Sequence, residues 1–314
     1  MVFIGIIRKF SVISMAVVVM CTVSAGLVSC GDKEEVTEKN SLSKTDSAEN
    51  KENENESDSI LSTLKDLQIV ESGTCGENLT WEFDSEGTLN INGTGEMEDY
   101  GYRIVHTPWY DYVNDIKKVV LEDGVTTIGT EAFNNCVNLS EVKISDSVKI
   151  IKSAFIGCTS LKEINIPDNV TSIGTFKGCT SLTSIKLSEN LENIGEFTFE
   201  GCTSLKAIII SDSITNIDNW AFADTGLTEI TIPNSVDSIG ESAFGNCENL
   251  MKITILNPDC KIEDFGSTIT NGYIIDDNDY RNRQSFFNGT IYGYENSTAQ
   301  EYAEKYGYNF EAIE

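Results

Sequence analysis

Between positions 125 and 256 the chain writes nearly the same line six times. One copy reads Thr159-Ser160-Leu161-Lys162-Glu163-Ile164-Asn165-Ile166-Pro167, another Thr203-Ser204-Leu205-Lys206-Ala207-Ile208-Ile209-Ile210-Ser211. Marker phenylalanines fall at Phe133, Phe155, Phe176, Phe199, Phe222 and Phe244, a period of 21 to 23 residues. A unit of that length cannot bury its own apolar face and must stack on its neighbours as a solenoid. Such an array offers an extended binding surface, and nothing in the repeated wording does chemistry.

Within a unit, Ile164 and Ile166 are two residues apart and share one face of a short strand. Leu161 turns inward where that strand begins, which leaves Lys162, Glu163 and Asn165 facing out. The register recurs from Leu139/Val142/Ile144 to Leu250/Ile253/Ile255, after a half-copy at Ile116/Val119/Leu121. Stacked strands make a parallel sheet at about 4.8 Å per repeat. The return path carries Val-Thr-x-Ile-Gly, as at 125–129 and 170–174, and then Ala-Phe. It reads as a short helix or helical turn that delivers the phenylalanine to the core. One-residue deletions at Gly174-Thr175-Phe176 and Asp224-Thr225-Gly226 predict local distortion.

Cys136, Cys158, Cys179, Cys202 and Cys247 each follow their phenylalanine by three residues. Adjacent copies would stack about one strand spacing apart with sulfurs parallel, which suits a structural ladder of buried thiols. Disulfides and a metal site are the alternatives, although zinc wants four ligands converging on one point rather than a row. Thr225 replaces the fifth rung. Cys75 and Cys260 lie outside the ladder and together with its five rungs make an odd set, so full pairing of these within the chain is impossible.

The N-terminus reads as targeting rather than fold. Arg8 and Lys9 precede an apolar run at 12–23, the form of a signal peptide over 1–29. Leu27-Val28-Ser29-Cys30 resembles the bacterial lipoprotein lipobox, which implies cleavage before Cys30 and lipidation of its sulfur. Two acyl chains hold a protein on a membrane where one would be marginal. Residues 30–62 are Glu, Asn, Ser and Lys with almost nothing apolar, the composition of a disordered acidic tether. The formal net charge of −28 argues against nucleic acid, whose binding rests on Lys and Arg neutralising phosphates.

The wording Ser-Ile-Gly-x-x-Ala-Phe-x-x-Cys-x-x-Leu-x-x-Ile-x-Ile-Pro resembles the BspA-like leucine-rich repeat of bacterial surface proteins. The flanks are similar to that family's caps. At the front stand Ser72-Gly73-Thr74-Cys75-Gly76 and Thr107-Pro108-Trp109-Tyr110; at the back, Ile291-Tyr292-Gly293-Tyr294 and the stretch 297–308. The resemblance implies a leucine-rich-repeat solenoid, with a parallel β-sheet on the concave face and short helical turns on the convex one. It also implies adhesion and partner binding at the cell surface, and no catalytic residue. The expected division is an aromatic N-cap at 63–115, the solenoid at 116–256 and an α+β C-cap at 257–314. In the N-cap, Leu79, Trp81 and Phe83 share a strand face, 84–87 turn, and Leu89 and Ile91 return as a β-hairpin. In the C-cap, Ser297 with Gln300 signals a helix start, and Gly307 stops the helix.

Chemistry has few places to start. The single histidine, His106, precedes Pro108 in a loop, so a Ser-His-Asp or Cys-His site would have to use it. Asp276-Asp277-Asn278-Asp279 invites a calcium loop, but the EF-hand glycine and glutamate positions hold Arg281 and Phe287. No cofactor or metal is expected, and the reading is non-enzymatic. The outward strand positions are rich in lysine, and the expected partner-binding set is Lys117, Lys143, Lys162, Asn165, Lys186, Lys206, Thr231 and Lys252. That strip suits an acidic partner, a protein or an anionic glycan, or else serves only to keep an open sheet soluble. The chain is expected to be a monomer anchored at the cell surface. A carbohydrate-binding module, with its site in the aromatic caps, and a surface hydrolase are the alternatives.

Overall fold

The computed structural model describes residues 68–101, 106–276 and 279–314. The described residues all lie within the unit Glu56–Glu314. The signal peptide, Cys30 and the tether lie outside the described residues, as do Asp277 and Asn278. This unit is a parallel β-solenoid of about eight turns.

Each turn contributes to two columns of strands. The first column runs through Thr88–Gly93, Lys118–Leu121, Glu141–Ile144, Glu163–Asn165, Ser184–Lys186, Glu229–Ile232, Lys252–Ile255, Thr290–Gly293 and Asn309–Ala312. Neighbours in it pair parallel and in register wherever they pair, as Glu229↔Lys252 and Ile230↔Ile253 do. The alternation of side chains explains the length and the facing: Ile164, Ile166, Ile230, Ile232, Ile253 and Ile255 are all buried. The second column has eight rungs: Gly95–Glu96, Val125–Ile128, Ile150–Ile151, Ser172–Ile173, Asn193–Ile194, Asn216–Ile217, Ser238–Ile239 and Lys261–Ile262. Its inward residues are the return-path isoleucines Ile128, Ile151, Ile173, Ile194, Ile217 and Ile239.

A file of rings runs between the columns. Trp109, Phe133, Phe155, Phe176, Phe199, Phe222 and Phe244 are fully buried. Successive centroids stand 5.8, 5.3, 5.6, 5.9, 5.3 and 5.3 Å apart with nearly parallel planes. These are offset stacks, which the charge distribution of an aromatic ring favours. Trp109 belongs to the N-cap, so the cap supplies the first ring of the file.

The expected helical turns around each phenylalanine are not found; among the described residues the only α-helix is Thr298–Tyr306. Tight turns replace them, closed by bonds such as Ala132 N–H to the Gly129 carbonyl and Cys136 N–H to the Phe133 carbonyl. The cause is backbone handedness. Asn135, Gly157, Gly178, Gly201, Asp224 and Asn246 all have positive φ, two residues after the phenylalanine. Only glycine, asparagine and aspartate enter that region readily, and these are the residues present. In four copies a second left-handed residue stands two before the ring (Glu131, Phe197, Trp220 and Ser242). Too few residues remain between the two reversals for a helical turn.

The deletions act differently. At the third copy the second column breaks between Ser172–Ile173 and Asn193–Ile194, and a Cβ on Gly174 would meet the Ser153 nitrogen at 2.4 Å. At the fifth copy the second column continues unbroken. There the shortened turn lies against the previous rung, where a Cβ on Gly226 would meet the Thr203 carbonyl at 2.2 Å.

The N-cap hairpin Leu79–Asp84 and Thr88–Gly93 gains a third antiparallel strand, Ile69–Gly76, along its outer edge. Asp84 closes the hairpin turn by accepting from the N–H groups of Glu86 and Thr88. Thr88–Gly93 then pairs parallel with Lys118–Leu121, which joins cap to solenoid. At the other end, Ser297 caps the helix by accepting from Gln300 N–H, and Gly307 ends it with φ of 72°. Buried Ala299, Tyr302 and Ala303 seat the helix on the last rungs, and the Tyr302 hydroxyl donates to the Phe265 carbonyl at 2.8 Å.

Phe176→Ala should lower the unfolding free energy by about 3–5 kcal/mol, because it opens a cavity in the middle of the ring file. Phe265→Ala, at a side chain 47% exposed, should cost under about 1 kcal/mol. Denaturant titration of both variants checks the contrast.

Candidate functional site

The first strand column turns a polar face outward, and its register places every lysine of the expected binding set. Lys118 stands beside Glu141 with an ion pair at 2.5 Å. Lys143 pairs in register with Val120, Asn165 with Lys186, and Glu229 with Lys252. Thr231 lies beside Thr254 in the same row that ends at Tyr292. Lys162 and Lys206 precede their strands, and Lys117 precedes Lys118–Leu121. The lysines therefore fall in three different rows and do not form one continuous strip.

Several of them are also engaged. Lys186 pairs with Asp168 at 3.2 Å, Lys252 sits 5.3 Å from the ring centre of Tyr292, and Lys117 donates to the Glu86 carbonyl at 3.3 Å. Exposed pairs of this kind contribute little to stability and compete with any partner for the charge. Lys143, Lys162 and Lys206 are exposed and have no side-chain partner among the described residues.

The most unusual part of this face is its interruption. Between Ser184–Lys186 and Glu229–Ile232 the chain passes through 206–210 without forming a strand. Ala207, Ile208, Ile209 and Ile210 make no main-chain hydrogen bond to either neighbouring rung. Here the rungs open into a groove of about 460 Å³ lined by Ile208, Ile209, Glu229, Ile230, Thr231 and Lys252. A second groove, of about 360 Å³, lies around Val142, Glu163, Asn165 and Lys186, where the column also breaks. Ile209 is 88% exposed, the most exposed of the large apolar side chains. The repeat puts it where other copies hold Lys143, Asn165, Lys186, Thr231 and Thr254. Ala207 likewise stands where Glu141, Glu163 and Glu229 stand. Reasoning from charge missed this site, although two apolar residues at polar positions were a readable signal.

The cysteine ladder is internal. All seven described cysteines are unpaired and buried. The thiols of Cys158, Cys179, Cys202 and Cys247 donate to the carbonyls of Phe133, Phe155, Phe176 and Phe222, at 3.1–3.4 Å. Each bond crosses from one turn to an earlier one. Where Thr225 stands in place of the cysteine the bond stays within the turn: its hydroxyl donates to the Phe222 carbonyl at 2.8 Å and lies 3.3 Å from the Cys247 sulfur. Burial pushes the thiols of Cys136 and Cys179 up to about 12. No group of three or more His, Cys, Asp or Glu converges for a metal among the described residues. His106 lies in the N-cap against the ring of Tyr110, with centroids 4.3 Å apart, and makes no hydrogen bond among the described residues.

The BspA type leucine rich repeat region matches this chain in six copies, over residues 104–175 and 174–290. Three solved structures are similar. A leucine rich cell surface protein from Faecalibacterium prausnitzii A2-165 is 29% identical, with 67% of this chain and 58% of that one covered and a TM-score of 0.45. The T. pallidum leucine rich repeat protein is 23% identical, with 76% and 97% covered and a TM-score of 0.45. A leucine-rich repeat protein from Bacteroides ovatus ATCC 8483 is 23% identical, with 69% and 70% covered and a TM-score of 0.36. The chain thus spans 58% of the length of the first of these. No curated protein matches.

The buried ladder makes stability depend on alkaline pH. In the unfolded chain the thiols release protons near their ordinary value of 9.0, whereas in the fold Cys136 and Cys179 hold theirs to about 12. Above pH 9 the unfolded state binds fewer protons, so stability is full below that pH and falls as pH rises toward 12. Denaturant midpoints at about pH 8 and about pH 10.5 should show the drop. A Cys136→Ala/Cys179→Ala variant should show a shallower one, and equal slopes would count against the ladder as the source.

Proposed function

We propose, from the premise that the chain belongs to the BspA type leucine rich repeat family, that it is a bacterial cell-surface interaction protein. It takes a partner protein on the outer face of its first strand column, and the contact centres on Ile209. The observation that carries this reading is Ile209 itself, 88% exposed at a position where sister copies hold Lys143, Asn165, Lys186 and Thr231. A single exposed isoleucine would be ordinary on most surfaces. This one replaces a polar residue of a strict repeat and stands over a groove with no main-chain pairing beneath it. Burying such a side chain contributes about 1.5–3 kcal/mol.

The rim supports a protein partner. Lys206 is unpaired beside the groove, and Glu229 and Lys252 line it. Apolar centres ringed by charge are the usual anatomy of protein interfaces, where the charges set orientation and on-rate. Met251, 54% exposed, precedes the strand that carries Lys252 and adds a second, adaptable apolar contact. Repeat scaffolds present surfaces for recognition, and the reading includes no catalytic step.

Surface display is part of the proposal. Cys30 is lipidated after removal of 1–29, and the acidic stretch to residue 62 separates the solenoid from the membrane. Flexible polar linkers of this length give a reach of tens of ångströms. Cys30→Ala should move the protein from the membrane fraction to the soluble fraction of cells that express it. Retention in the membrane fraction would remove the anchor.

The face is tested by capture from surface-protein extracts with the full chain. Ile209→Lys restores the residue type that Lys143 and Lys186 hold in sister copies, so the fold should survive. Capture of the partner should fall at least about tenfold, the equivalent of roughly 1.4 kcal/mol. A triple charge reversal at Lys162, Lys186 and Lys206 should slow association more than it speeds release. Undiminished capture by both variants would place the partner elsewhere.

A further inference from the structure

A second pair of departures from the repeat lies beside the other strand column. Two residues before the core ring, the first, second and sixth copies hold Glu131, Ser153 and Ser242, whereas the fourth and fifth hold Phe197 and Trp220. Both aromatic residues have left-handed backbone, with φ of 59° and 58°, a conformation that bulky side chains rarely take. Such strain persists only where the surrounding structure enforces it, and it tends to gather at binding sites. The two rings are partly exposed and stack on each other, with centroids 6.5 Å apart and planes 28° from parallel. This short outer file has an occupied end and an open one. At Phe197, the Lys177 ammonium lies 5.1 Å from the ring centre and 2.6 Å from the Glu200 carboxylate. At Trp220, no cation and no further ring follows among the described residues. The next copy supplies only buried Ser242, whose hydroxyl donates to Ser267 at 3.0 Å.

We infer that the open end of this stack is a docking site for a basic segment of a partner protein, which lays a lysine or arginine side chain against the Trp220 indole. The molecule supplies its own template, since at the other end of the same stack a cation is held between a ring and a carboxylate. Cations are drawn to the face of an aromatic ring, and tryptophan attracts them most strongly. The surrounding charge fits the same class of partner. A groove of about 340 Å³ on the second strand column is lined by Glu196, Asp218, Asn219, Lys261 and Glu263 among others, and Glu196 and Asn219 directly precede the two rings in the chain. Asp218 accepts from the Asn193 amide at 2.9 Å. Glu196 and Glu263 are exposed and have no side-chain partner among the described residues. Three carboxylates against Lys261 leave this lining net negative. Glu241, whose carbonyl accepts from the Trp220 main-chain N–H at 3.0 Å, adds a fourth acid in the next turn. An acidic partner would be repelled here, and an apolar one would strip water from the free carboxylates without pairing them. The groove shares no lining residue with the one at Ile209, so the two surfaces are tested separately.

The tryptophans make the test direct, because Trp81 and Trp109 are buried and Trp220 is the partly exposed one of the three. The full chain is titrated with capped tetralysine and tetraarginine peptides, and with tetraglutamate and a neutral oligosaccharide for comparison. Calorimetry gives the affinity, and tryptophan emission with acrylamide quenching gives the place. The basic peptides should bind, bind more weakly as salt rises, shift the emission and shield it from acrylamide. Trp220→Leu should weaken them about fivefold with the melting temperature unchanged, and Trp220→Phe should recover most of that loss. Glu196→Gln with Glu263→Gln alters only exposed side chains and should weaken them as well, which keeps the test intact if the tryptophan variant folds poorly. Ile209→Lys should leave these affinities as they are. Peptide binding that does not alter Trp220 emission would be diffuse attraction to a chain of net charge −28 and would overturn the proposal. No binding at about 1 mM, equal affinity in Trp220→Leu, or shielding by the oligosaccharide in place of the peptides would each overturn it too.

Discussion

The structure depends on one contact repeated: each turn lays its aromatic ring on the ring of the turn before. Seven rings from Trp109 to Phe244 make a continuous buried file. No single turn of this chain has enough apolar surface to offset the entropy of ordering its own backbone. The file makes each turn a lid for the next, so stability accumulates by neighbours rather than around a centre. Two consequences follow at the ends. The N-cap must offer a ring, and Trp109 does so, with its indole N–H held by the Ala132 carbonyl at 2.8 Å. The C-cap must cover the last apolar layer, and the helix Thr298–Tyr306 does this with Ala299, Tyr302 and Ala303.

Packing a ring every 21 to 23 residues puts a demand on the chain around it. The backbone has to reverse within two residues of the phenylalanine in order to return the cysteine to the core. This is met by a left-handed residue in all six copies, glycine in three and asparagine or aspartate in the others. The cysteine then does more than fill space. Its weak S–H donor reaches the phenylalanine carbonyl of an earlier turn and, at Phe133, Phe155 and Phe176, adds a second bond to an oxygen that already accepts from that turn's own cysteine N–H. Thr225 makes the same kind of bond with oxygen within its own turn.

How much of this was readable beforehand depended on which level carried the signal. The strand register, the ring file, the cap hairpin and the capped C-terminal helix all follow from periodic apolar residues and local capping chemistry. The return path was misread as helical because Ala-Phe followed by polar residues suits a helical turn by composition. The left-handed residues that forbid it are an effect of spacing, and asparagine and aspartate signal it less openly than glycine. The third cap strand, Ile69–Gly76, was hidden because Ile69 and Val70 are about half exposed and its sequence lacks alternation. The lysines were correctly read as outward but wrongly read as one strip. Sequence shows that a residue faces out and not which row it joins, and pairing with Glu141 or Asp168 is a tertiary matter.

In a molecule this regular, the departures from the repeat say the most about recognition. A polar outward position costs nothing structurally when it varies among lysine, asparagine and threonine, so variation there says little. An isoleucine at that position exposes apolar surface and gives no packing in return, and the rungs beside it lose their main-chain pairing as well. Both changes are unfavourable for the free solenoid, and only a bound partner would convert them to advantage. On the proposed strand face the unmet demand is apolar, of the kind a protein side chain would meet. The scaffold can carry such an exception, because each turn is fixed by its neighbours alone and a local departure does not propagate along the stack.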